Sequence, residues 1–237
     1  MPLQKYLIVN ADDFGQSAGI NRGIIDTFEH GIVTSASLMV RWPCAAEAAE
    51  YARAHSDMSV GLHVDLGEWT YRQGEWVQLY EVVQKDDSAA VAEEVSRQLS
   101  TFVELLGRKP THIDSHQHVH SSEPVRSILI ETARQLAVPL RHHSAIHYCG
   151  DFYGQMADGA PLWDHISVDA LGKLLRNLSN TITELGCHPA GLVDIETMYA
   201  AERLREREIL CDRRIRDFLT SESIQLCSFH NVSGATG

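Results

Sequence analysis

The chain has 237 residues, 44% of them apolar, and a formal net charge of −12. That length and apolar content suit one sizeable core, such as an α/β barrel of a single domain over residues 1–237. The acidic balance, with no Lys/Arg-rich block, excludes a generic nucleic-acid or anionic-membrane surface, and no run of about 18 apolar residues offers a membrane span.

In chain order, apolar β-branched runs alternate with segments of helical period. The pattern predicts a strand at 6–11, a helix at 17–29, a strand at 35–40, a helix at 44–54 and a strand at 59–64. A helix at 89–106, a strand at 112–115, a helix at 123–136 and a strand at 140–142 follow. The rest is a helix at 168–178, a strand at 182–187, a helix at 201–221 and a strand at 225–229. Seven strands with intervening helices suggest a closed or nearly closed (β/α) barrel, with an open doubly wound sheet as its rival. Leu204, Ile209, Ile215 and Phe218 form the apolar stripe expected of an outer last helix.

Two connections break the rhythm. Residues 67–87 carry Trp69, Tyr71 and Trp76, and residues 143–164 carry Tyr148, Phe152, Tyr153 and Trp163. Such aromatics suit stacking on sugar rings or capping of the barrel mouth. The carboxyl-terminal "NVSGATG" reads as a frayed tail. The amino terminus "MPLQKYLIVNADD" lacks the order of a signal peptide. The five cysteines (Cys44, Cys149, Cys187, Cys211 and Cys227) form no CxxC pair. Both features lead to the expectation of a cytoplasmic protein with packing cysteines.

Metal-type residues collect at the carboxyl ends of the strands: Asp12 and Asp13, His63 in "VGLHVDL", His116 in "THIDSHQHVH", His188 in "GCHPAGL" and His230 in "LCSFHN". In a parallel barrel those ends converge on one mouth. Adjacent strand side chains point to opposite faces, so Asp12 and Asp13 are expected where the first strand ends. Such a pair can cap the following helix. It can also share a cation with histidines, which relieves the repulsion between the two carboxylates. One Asp and two His would hold a divalent metal with a position open for water, leaving the second Asp to take a proton. His112, Asp114, His116, His118 and His120 share one alternating phase for as long as their strand lasts, a density of polar groups that would be costly to bury without partners. Arg141, in "RHH" at a strand end, could touch substrate or lie on a solvated rim.

The pieces "LIVNADDFGQSAGINRGI", "GIVTSASLMV", "VGLHVDL", "GRKPTHIDSHQHVH" and "CHPA", in that order between Leu7 and Ala190, resemble the YdjC-like carbohydrate deacetylases, which include chitooligosaccharide deacetylases. The resemblance implies a distorted, TIM-like (β/α) barrel of about seven parallel strands, similar to the NodB-type deacetylases. It implies one divalent metal, Mg or Zn, held by Asp13, His63 and His116, with Asp12 as catalytic base and His188 as general acid. Asp114, His118, Arg141 and His230 remain to orient a ligand imidazole or to touch substrate, His118 also as a reserve ligand beside His116. The implied reaction removes an N-acetyl group from an amino sugar or oligosaccharide. A metal-dependent phosphoesterase, with Arg22, Arg41 or Arg141 for the phosphate, and a non-catalytic sugar-binding barrel are the alternatives. A homodimer, the commonest oligomer, fits the family, although no stretch marks an interface.

Overall fold

The computed structural model describes residues 4–178 and 182–232; residues 233–237 of the expected tail lie outside the described residues. Strand β1 (Lys5–Phe14) is the centre of a seven-stranded parallel sheet with β2 (Ser35–Leu38), β3 (Ser59–Val64), β6 (Ile113–Ser115), β7 (His147–Cys149), β8 (Ile182–Cys187) and β9 (Ile224–Leu226). The order is β6-β3-β2-β1-β8-β7, with β9 also pairing β1 over Lys5, Tyr6 and Leu7. A parallel bridge from Ile113 to Leu140 extends the curl past β6. The expected distorted barrel of about seven parallel strands is thus present as a curled half-barrel.

Helices α1 (Ala18–His30), α2 (Ala45–Ala54), α3 (Ser88–Leu106), α4 (Val125–Leu136), α5 (Val168–Arg176), α6 (Ala201–Leu210) and α7 (Arg213–Ser221) connect the strands. Their starts are chemically marked. The Ser17 hydroxyl accepts the Ile20 N–H, the Asp87 carboxylate those of Ala89 and Ala90, and the Ser167 hydroxyl that of Ala170. Helix α3 buries Val91, Val95, Phe102 and Leu106 on one face and ends at Gly107 in left-handed backbone (φ 69°). No helix of the described residues is long and apolar enough to cross a membrane.

Strand β1 sets up the site by its two faces. Leu7, Val9 and Ala11 belong to the main apolar core, whereas Ile8 packs with Ile146, Phe229 and Val232 in a separate small cluster. Alternation therefore puts Asn10 and Asp12 on the Ile8 face. The floor below them is sealed by Phe229, whose ring stacks on His112 with centroids 3.7 Å apart. His112 in turn needs Gly61, because a Cβ at that position would lie 2.4 Å from the imidazole.

Three predicted elements differ from the structure, and the two long loops contain strands that were not expected. The strand at 140–142 shrinks to the Leu140 bridge, since Arg141 turns inward to buried carboxylates and His142 takes left-handed backbone (φ 66°), which a strand cannot continue. One unexpected strand, β7, forms inside the second long loop and pairs β8 at the opposite edge of the sheet. The first long loop contains an antiparallel hairpin, β4 (Gly67–Arg72) and β5 (Glu75–Glu81), turned by Gln73 and Gly74 at φ 51° and 92°. The helix at 201–221 breaks because Asp212 caps α7 by accepting the Arg214 N–H. The last strand stops at Leu226, where Ser228 and Asn231 cap each other in a short 3-10 turn, Phe229–Asn231.

Candidate active site

The Asp12–Asp13 pair does not end its strand. Between Ala11 and Phe14, β1 takes three steps while β2 takes two, from Ala36 to Leu38. Asp13 absorbs this bulge in left-handed backbone (φ 68°), a conformation that Asp tolerates better than most residues. Both carboxyl groups consequently turn to the mouth, 3% and 1% exposed. The expectation that the pair lies beyond the strand is thus corrected: the strand continues and is bent at the pair.

At the mouth, Asp13 Oδ1 lies 3.0 Å from His116 Nδ1 and 3.3 Å from His63 Nε2. One ligand atom from each of the three residues falls within 4.8 Å of the others. His63 comes from the end of β3, and its Nδ1 is 2.7 Å from Asp114 Oδ1 on the neighbouring β6, which fixes the ring so that Nε2 faces Asp13. His116 opens the turn after β6 (His116–Ser121), and its buried Nε2 has no hydrogen-bond partner. Asp13 Oδ2 accepts from Arg203 Nη2 at 2.6 Å, which orients the carboxylate.

Below the trio, the buried Arg141 guanidinium binds Asp12 through both oxygens (2.7 and 2.8 Å), Asp114 at 2.6 Å and Glu184 at 2.6 Å. Asn10 donates to Asp12 Oδ1 at 2.9 Å, and Ser37 to Asp114 Oδ2 at 2.6 Å. Burial, the largest influence, pushes the Asp12 carboxyl up, but the charge and hydrogen bonds of Arg141 together with the nearby His63 hold the group below its ordinary range. Asp13 is held lower still, against burial, by Arg203 and His116. Burial works against charge on the two histidines as well, yet Asp114 raises His63 to about 10 and Asp13 raises His116 to about 9.

These residues fit a divalent metal. Asp12, Asp13 and Asp114 outnumber Arg141 and Arg203, Glu184 being raised to about 7 by burial, and without a metal protons on His63 and His116 supply the balancing positive charge. An ion bound by neutral imidazoles replaces those protons. Metal binding at neutral pH is therefore expected to release close to two protons, so apparent affinity rises with pH by about a hundredfold per unit below pH 9. Calorimetry in buffers of different ionisation enthalpy reads this directly; binding without proton release would contradict the ligand set.

On the other side of Asp12, His188 Nε2 is 3.8 Å from Asp12 Oδ2. Burial lowers this imidazole to about 4, so it is neutral at rest. The His188 backbone N–H and the Tyr199 hydroxyl both donate to Glu206, which burial raises to about 8. Asp12, Asp13, His63, His116 and His188 all line one cavity of about 540 Å³, walled by Trp76, Tyr148, Phe152, Tyr153 and Tyr199. The hairpin supplying Trp76 docks on the turn after β6, where the Gln117 amide exchanges two hydrogen bonds with the Trp69 backbone.

Of the other expected residues, Asp114 is the partner of His63 and Arg141 lies buried beneath Asp12 rather than on a rim. His118 stands apart from His116 and groups instead with His120 and His142, because Gln117 and His118 leave the strand in left-handed backbone (φ 50° and 51°). His230 is exposed in the 3-10 turn after β9 and does not join the mouth. Sequence reasoning missed Arg203 and Glu206 on α6, and Asn10, Ser37 and Glu184 on the strands. For α6 the signal existed: Glu202, Arg203, Glu206, Ile209 and Leu210 recur at helical spacing and form its buried face.

A family model described as YdjC-like protein matches residues 6–221. The chitooligosaccharide deacetylase of Serratia marcescens is 30% identical over 266 residues, which cover 97% of this chain and all of the relative. Two solved structures share the fold. An Enterococcus faecalis V583 protein with a suggested role in cellobiose-phosphate cleavage aligns with a TM-score of 0.78 at 24% identity, over 97% of this chain and 99% of its own. A family 4 carbohydrate esterase from Streptomyces lividans, solved with acetate, aligns with a TM-score of 0.56 at 16% identity, over 94% and 91%.

Proposed function

Because the chain belongs to the YdjC-like protein family, we propose that it is a metal-dependent carbohydrate deacetylase, hydrolysing the N-acetyl group of an amino sugar to acetate and a free amine. The observation that carries this reading is the gathering of Asp13, His63 and His116 at one carboxylate oxygen, beside a further carboxylate, Asp12, oriented by its own arginine. A zinc or magnesium ion held by Asp13, His63 and His116 would supply Lewis acidity, polarising the acetyl carbonyl and lowering the pKa of the attacking water.

Asp12 takes the proton of that water. Arg141 and Asn10 hold its oxygens in place and keep the group ionised at neutral pH, ready to act as a base. The leaving nitrogen must gain a proton before it departs as an amine. His188 is neutral at rest, so the proton it gives is the one Asp12 has just collected 3.8 Å away. One proton thus passes from water to amine through Asp12 and His188. Glu206 and Tyr199 hold the His188 backbone and the pocket wall in position. The aromatic wall offers flat apolar faces to the sugar ring.

The phosphoesterase alternative needs a free cation for the phosphate. Arg141 is already committed to Asp12, Asp114 and Glu184, Arg203 to Asp13, and Arg41 to Asp65 and Glu94, while Arg22 is exposed on α1 and does not line the cavity. The metal-loaded protein is therefore expected to release acetate and amine in equal amounts from some members of a panel of N-acetylated sugars, sugar phosphates and chitooligosaccharides, without releasing phosphate. Phosphate release with every acetyl group intact would sink the reading.

A further inference from the structure

A second set of metal-type side chains lies in the fold, and deacetylation does not use it. His118 and His120, both in the turn His116–Ser121, and His142, two residues past the Leu140 bridge, each bring one ring nitrogen within 4.8 Å of the others. The three rings form a near-equilateral triangle with centroids 5.9, 5.4 and 5.5 Å apart. Tyr148 closes one side of it, 5.4 Å from His118 and 4.8 Å from His142.

Two nitrogens in this triangle are buried and unpartnered, Nδ1 of His118 and Nε2 of His120. His120 is fully buried, and its Nδ1 is 2.5 Å from the Ser115 hydroxyl. That hydroxyl can accept an Nδ1–H, which leaves the Nε2 lone pair free for a ligand, the arrangement in which outer partners fix a metal-binding imidazole. Unpartnered buried nitrogens are costly, and an ion that takes their lone pairs removes the cost. The nearby Arg141 charge is matched by Asp12, Asp114 and Glu184, so it does not act on the triangle as an isolated cation.

We propose that His118, His120 and His142 bind a second divalent ion of the borderline class, zinc, copper(II) or nickel. Three imidazoles without a carboxylate suit these ions and not magnesium or calcium, and leave coordination positions open to water. Such an ion ties the turn that carries His116 to the segment that carries Arg141, and it reaches the substrate cavity through His118, which lines it.

The test is zinc stoichiometry in the full chain, stripped of metal, reloaded and passed through gel filtration. The wild type is expected to keep two zinc ions per chain, and Asp13→Ala and His142→Ala one each. His142 is exposed, so its removal leaves the buried packing intact. The ion kept by Asp13→Ala should show multiple imidazole scattering in its X-ray absorption spectrum. His118→Gln should behave as His142→Ala does. A wild type that keeps one zinc, lost in Asp13→Ala and retained in His142→Ala, would overturn the proposal, as would two zinc ions in His142→Ala.

Discussion

Replacing Asp12 with Asn is expected to lower turnover by about 100- to 10,000-fold, the range for losing a general base, while metal content stays at the wild-type level. The amide has the shape of the carboxylate and keeps one acceptor oxygen for Arg141. The guanidinium also retains Asp114 and Glu184, so the buried charge is not stranded. Asp12 is outside the trio around Asp13 Oδ1, which is why metal should persist. The loss should fall on kcat rather than on KM, because a base acts in the transition state and not in holding the sugar. A variant as active as the wild type, or one that loses its metal, would remove Asp12 from the role of base.

Asp13→Ala is expected to lose metal from the first site and to lower activity by at least about a thousandfold, since the ion contributes several kcal/mol to the transition state and each 1.36 kcal/mol is tenfold. The substitution also leaves Arg203 buried without its carboxylate, which by itself destabilises the fold. Asp13→Asn separates the two effects, because its side chain can still accept from Arg203. Thermal unfolding close to wild type with metal and activity both lost identifies Asp13 as a ligand. Retention of both in Asp13→Asn would contradict that assignment.

Much of the site was legible because strand ends converge. His63, His116 and His188 each follow or end a parallel strand, and the structure brings all three to one cavity with Asp12 and Asp13. The bulge that turns Asp13 inward was not legible, since left-handed backbone at a single Asp leaves no mark in the pattern of neighbouring residues. Alternation in "HIDSHQHVH" carried only as far as Ser115. Beyond that point the chain turns, and the shared phase of His116, His118 and His120 no longer means a shared face. Arg203 and Glu206 were hidden because charged residues on a helix read as solvent-facing, whereas the buried face of α6 is charged so that it can hold Asp13 and the His188 backbone.

The fold was readable where apolar runs were long, as in β1, β3 and β8. The shrinking of the strand at 140–142 and the appearance of β7 were not, because both stretches are short and the first depends on Arg141 finding three carboxylates distant in sequence. The hairpin in the first loop does leave a mark in the sequence: "WTYRQGEWV" alternates on both sides of Gln73–Gly74, and a two-residue turn ending in Gly is a hairpin signal.

The most direct test of the account is acetate release from N-acetylated chitooligosaccharides by the wild type before chelation, after chelation and after a divalent metal is restored, with Asp13→Asn carried through the same steps. Chelation is expected to abolish release, and metal to restore it in the wild type but not in the variant. Acetate release from metal-free wild type, or full recovery of the variant, would contradict a metal centre built on Asp13.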